Sequence, residues 1–130
     1  MESSIKLILE SSTAKFDVNL NNNQVPFNFN PNDQYDNSTV EFNAQLDKSN
    51  LIELKVSQTH NSSTNLKEII VDDIRFGLVT FLCTTINNKQ ETQLNSDGII
   101  SIHIETPVWE FWCKKMNSFN YRDYPLGSIS

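Results

Sequence analysis

The stretch VEFNAQLDKSNLIELKV, residues 40–56, decides the fold. In it Val40, Phe42, Ala44 and Leu46 alternate with Glu41, Asn43 and Gln45, and Ile52, Leu54 and Val56 alternate with Glu53 and Lys55. A period of two is that of an extended strand, whose side chains leave the backbone on opposite faces in turn. Each half therefore presents one apolar and one polar face. Asp47, Lys48, Ser49 and Asn50, between them, are of types that turn a chain. The stretch reads as a hairpin of two strands, each buried on one side only.

The same alternation extends in both directions. Towards the N-terminus, Ile5-Lys6-Leu7-Ile8-Leu9 is a short strand. Phe16, Val18 and Leu20 form another, which runs into Asn21-Asn22-Asn23 and returns as Val25, Phe27 and Phe29. These two runs read as a second hairpin, and Pro26, with no N–H to give a ladder, places its return strand at an edge or marks its start. Towards the C-terminus, residues 58–65 hold no apolar side chain and read as the longest loop. Ile69-Ile70-Val71, then Ile74, Phe76 and Leu78, then the apolar 79–82 are nearly continuous, which predicts strands covered on both faces at the centre of the fold. Asn87-Asn88 and Asp97-Gly98 are turn dipeptides, and Ile100, Ile102 and Ile104 alternate again.

The count is eight or nine short strands in roughly 105 residues, which argues an all-β chain folded as an antiparallel two-sheet β-sandwich, jelly-roll-like. One segment departs from the rule. Thr106-Pro107 followed by 108–117 predicts a short C-terminal helix over about 107–117, with Thr106 as N-cap and Pro107 at the first helical position. Lys114 and Lys115 then fall in its last turn, opposing the negative end of the helix dipole. Residues 118–130 read as an irregular tail.

With 130 residues, the whole chain (1–130) is expected to be a single domain that needs no disulfide or metal staple. Asn occurs 17 times and Ser 14 times, the apolar share is 38%, and the net charge is −6. An acidic surface without clustered cations argues against nucleic acid as a partner. No apolar run reaches the roughly 20 residues of a membrane span, so no membrane insertion is expected. The start, Met1-Glu2-Ser3-Ser4, shows no signal peptide, which points to a cytoplasmic or virion-associated location. Cys83 and Cys113 read as small buried residues with reduced thiols. The sequons at Asn37 and Asn61 carry little weight in a chain this rich in Asn and Ser.

No phosphate loop, nucleophile elbow or His-Glu-x-x-His motif is present, and nothing singles out a catalytic carboxylate pair, so no enzyme is expected. His103 lies out of phase with the isoleucines around it and reads as a structural histidine facing the other way. Asp72, Asp73 and Asp97 sit in turns beside strands, where sandwich domains can hold calcium with carboxylates and carbonyls. Solvated turn carboxylates are the plainer reading, and no cofactor is expected beyond that calcium. Trp109 and Trp112, three apart, share a helical face and read first as core. Exposed aromatics, by contrast, offer flat apolar faces to the C–H faces of sugar rings, while amides and carboxylates match vicinal hydroxyls. The platform candidates on that chemistry are Tyr121 and Tyr124, with Arg122 and Asp123 beside them in the tail, together with Tyr35 and Trp109.

The strand "LKEIIVDDIRFG" (residues 66–77), a polar turn, and a second strand opened by "SDG" (96–98) and reading "IISIHIETP" (99–107) resemble β-sandwich carbohydrate-binding modules. These include calcium-dependent xylan binders and modules of phage virion proteins, which carry a comparable "ELxDIxFNG" strand. The resemblance implies a two-sheet sandwich and a non-catalytic domain whose partner is a polysaccharide or glycan. No ligand residue transfers from it. The competing expectation is a structural protein, such as a virion or accessory component, that forms a homo-oligomer through exposed edge strands and has no small ligand.

Overall fold

The computed structural model describes residues 2–11, 15–31, 37–57, 63–77, 83–85, 93–94 and 97–119. Their alternating segments form strands in chain order: β1 (Ser3–Ser11), β2 (Lys15–Leu20), β3 (Asn23–Gln24), β4 (Asn28–Asn30), β5 (Asn37–Ala44), β6 (Ser49–Ser57), β7 (Thr64–Val71), β8 (Ile74–Phe76), β9 (Cys83–Thr85), β10 (Gln93–Leu94) and β11 (Gly98–Glu105). One helix, α1 (Val108–Phe119), follows them. One antiparallel sheet has the order β10-β7-β1-β5-β4, with β8 beside β7, and the other has the order β3-β2-β6-β11-β9. The protein is an all-β two-sheet sandwich with one short helix.

Period-two patterning produces the core directly. In the first sheet Leu7 stands between Val40 and Ile69, and Ile5 between Phe42 and Val71. In the second, Leu54 stands between Val18 and Ile100, and Ile52 between Leu20 and Ile102. All of these side chains are buried, and the two apolar faces close on each other. Each such residue contributes roughly 1.5–3 kcal/mol of transfer free energy relative to exposure.

Two expectations are corrected at the level of pairing. Residues 40–56 do not form a hairpin: β5 pairs with β1 and β4 in one sheet, and β6 with β2 and β11 in the other. The chain crosses between layers at 45–48, so the two apolar faces meet across the core rather than side by side. The 16–29 hairpin holds only for its first step, since Asn23–Gln24 pairs with β2 while Asn28–Asn30 pairs with β5. The crossover contains Pro26, where a ladder hydrogen bond is unavailable.

The run around Ile70 is not covered on both faces. A register shift opposite Ile8 and Leu9 leaves Lys67 as an extra residue, a β-bulge that turns Leu66, Ile69 and Val71 inward and leaves Ile70 half-buried. Beyond Val71 the chain reverses through Asp72-Asp73 into the short strand β8.

Candidate functional site

The helix begins where β11 ends. Thr106 donates its backbone N–H to the Lys48 carbonyl at 3.0 Å and its hydroxyl to the Asp47 carbonyl at 2.8 Å. Its hydroxyl thus ties the helix start to the β5–β6 crossover and does not cap the helix. The first helical bond runs from the Phe111 N–H to the carbonyl of Pro107, whose peptide bond to Thr106 is cis. The helix continues to Phe119, so Lys114 and Lys115 lie in its middle and not in its last turn.

Val108 and Phe111 are buried and Trp112 is packed against the core. These positions, at i, i+3 and i+4, define the docking face. The Phe111 ring lies 6.0 Å from Phe76 and 6.0 Å from His103, the latter edge-on, with the Lys115 ammonium 5.4 Å from its centre. The Trp112 Nε1–H donates to the Arg75 carbonyl on β8 at 2.9 Å.

Trp109 departs from the expectation that it is core. Its neighbour Val108 faces inward, and one residue further along a helix turns the side chain by about 100°. Trp109 is 59% exposed, and its indole lies parallel on Trp112 at 5.2 Å with an interplanar angle of 9°. One face of a large flat ring is thus held by its partner and the other is open to solvent. On the opposite flank of the helix, Glu105, Thr106, Pro107, Glu110, Phe111 and Lys114 line a shallow cavity of about 190 Å³. There the His103 ring Nε2 meets a Glu105 carboxylate oxygen at 2.9 Å. That hydrogen bond, with the charges of Lys114 and Lys115, holds the Glu105 carboxyl below its ordinary range. His103 faces away from Ile102 and Ile104, as its phase predicts.

Of the other expected platform residues, Tyr35, Tyr121, Arg122, Asp123 and Tyr124 lie outside the described residues. The turn carboxylates are not brought together. Asp72 and Asp73 form the β7–β8 turn, where the Asp72 carboxylate accepts the Ser4 N–H at 2.9 Å and the Asp72 N–H donates to the Ser4 carbonyl. Asp97 precedes Gly98, which pairs with Val56 at the far end of the strands. No group of three His, Cys, Asp or Glu side chains converges among the described residues. Cys113 carries a free thiol that is only half-buried, where a buried residue is expected, and the side chain of Cys83 lies outside the described part.

A second concavity was not anticipated from the sequence. Gln24, Val25, Pro26 and Phe27, the crossover between β3 and β4, line an open groove of about 440 Å³. The signal for it is Pro26 interrupting an otherwise regular alternation.

No protein-family model matches this chain, and no curated protein matches it. A solved structure similar to it is a selenomethionine form of vCBM60, from work on circular permutation between two families of calcium-dependent carbohydrate binding modules. The two share 13% identity over 77% of this chain and 89% of that one, with a TM-score of 0.49.

Proposed function

We propose that this domain is a non-catalytic glycan-recognition module with Trp109 as its aromatic platform. The observation that carries the proposal is the exposed indole clamped flat on Trp112, itself fixed to the Arg75 carbonyl. A ring held in place before binding loses little freedom when a ligand arrives, and its free face matches the apolar face of a sugar ring. Away from the helix, the surface also carries amides suited to sugar hydroxyls. Asn22, Asn23, Gln24, Asn28, Asn30, Asn43 and Gln45 are all exposed, and an amide offers a donor and an acceptor on one planar group.

The test is affinity electrophoresis against a panel of soluble polysaccharides. Wild type is expected to be retarded by at least one, and Trp109→Ala to weaken that binding by about tenfold or more. Truncating so exposed a side chain is expected to leave the sheets folded, which a retained cooperative thermal transition checks. The proposal fails if no polysaccharide retards the wild type, or if Trp109→Ala binds as wild type does. A stable trimer or larger ring in light scattering that Trp109→Ala dissociates would instead assign the indole to contacts between copies.

A further inference from the structure

Residues 18–31 carry no charged side chain, although the chain holds 16 acids and 10 bases. Half of those fourteen residues are Asn or Gln. The fold collects them on one side of the sandwich, where β3 ends one sheet and β4 ends the other. There Gln24, Val25, Pro26 and Phe27 line the open groove of about 440 Å³. Next to it, all three side chains of β4 are exposed, and Phe29, 39% exposed, rests against Phe16 with ring centres 5.4 Å apart.

We infer that this groove is a second binding site, for an uncharged polysaccharide chain. Its volume lies within the roughly 300–1,000 Å³ of small-ligand sites. Val25, Pro26 and Phe27 give it an apolar floor. Val25 and Phe27 are held against the core, and Pro26 has a fixed backbone angle, so the floor is formed before binding. Gln24 and the amides of β3 and β4 offer neutral donors and acceptors suited to hydroxyls.

A charged sugar would find no counter-charge in this stretch, and the net charge of −6 repels anionic glycans further. A peptide joining as an added strand is disfavoured by the same geometry. The Val25 N–H already donates to the Val18 carbonyl, Pro26 has no N–H, and the flanking edges are two and three residues long.

The site rests on the glycan-binding reading but is separable from Trp109. The helix docks on β8 and β11, on the opposite flank of the sandwich from β3 and β4. The test uses the full chain in affinity gels of xylan, glucomannan and mixed-linkage β-glucan, which are neutral, and of polygalacturonate and chitosan, which are charged. The variants are Gln24→Glu, Phe27→Ala and Trp109→Ala, each checked by circular dichroism.

Wild type is expected to be retarded by at least one neutral polymer, equally at low and high salt, and Gln24→Glu and Phe27→Ala each to weaken this about tenfold. Trp109→Ala retains the part of the binding that the groove supplies. Should Phe27→Ala fail to fold, Gln24→Glu decides alone, since its side chain is exposed. The groove is overturned if the wild type binds a neutral polymer while both groove variants match it, or if only charged polymers retard the chain. Retardation of the wild type by no polymer overturns the glycan reading itself, a result distinct from loss of the groove alone.

Discussion

Asn50 is 1% exposed, yet all of its amide valences are used. Its Nδ2 donates to the Asp47 carbonyl at 2.8 Å and to the Ile104 carbonyl at 3.1 Å. Its Oδ1 accepts from the Asp47 N–H at 2.7 Å and from the Asn21 side chain at 3.1 Å. Asn21 in turn accepts the Leu51 N–H at 2.8 Å, so one amide pair ties the β2–β3 turn, the crossover and the end of β11 together. Asn50→Ala strands several of these groups without partners, and the expected loss is about 3 kcal/mol, read as a lowered urea midpoint with an unchanged slope. Asn43→Ala, at an exposed position, is the control and should move the midpoint by no more than about 0.5 kcal/mol. In the sequence Asn50 is one amide among 17 and reads as an ordinary turn residue. Its burial depends on residues 29 and 54 positions away, which no local pattern reveals. His103 is the opposite case, because the phase of Ile100, Ile102 and Ile104 alone determines which face it takes.

At the scale of elements, two tight turns carry the hairpins among the described residues, and glycine serves neither. Asn21-Asn22 and Asp72-Asp73 both adopt left-handed backbone, with φ of 50° and 69° in the first and 49° and 68° in the second. Positive φ at both central residues is the two-residue turn that matches strand twist. Asp tolerates that region less well than Gly, which loses more freedom on folding, so Asp73→Gly is expected to raise stability by about 0.5 kcal/mol. Asp72→Ala should lower it by about 1–2 kcal/mol, because the Ser4 N–H loses its carboxylate partner. Thermal unfolding of both variants checks the opposite signs. The first was legible because an Asn run sits between two alternating segments, whereas the strand read over 66–77 runs straight through Asp72-Asp73, which the structure makes a turn. The 45–48 crossover was not legible either, since alternation marks which face of a strand is apolar and not whether its apolar neighbour lies beside it or across the core. Asp47-Lys48-Ser49-Asn50 suits either connection; what separates them is the pairing of β5 with β1 and of β6 with β2, a long-range choice.

Across the whole molecule, the sandwich closes its two flanks differently. On one, the chain itself crosses from β3 to β4 through Pro26. On the other, α1 bridges β8 of one sheet and β11 of the other. The helix was legible from Thr106-Pro107 and from the loss of period two, but the exposure of Trp109 depended on which of three adjacent aromatics would point at Phe76. A helix of 12 residues is marginal alone, so its order derives from docking through Val108, Phe111 and Trp112. Both tryptophans of the chain lie on it, so indole fluorescence reports helix docking while the far-UV signal is dominated by the sheets. Phe111→Ala removes the ring that meets Phe76, His103 and Lys115, a truncation that costs about 3–5 kcal/mol when the cavity cannot collapse. The sheets keep their own core rows in that variant, so the element with fewest partners should open first. Under native conditions Phe111→Ala is therefore expected to show red-shifted tryptophan emission with the sheet signal retained, and a fluorescence midpoint in urea below the far-UV midpoint. Coincident midpoints in the variant would show instead that helix and sheets unfold as one cooperative unit.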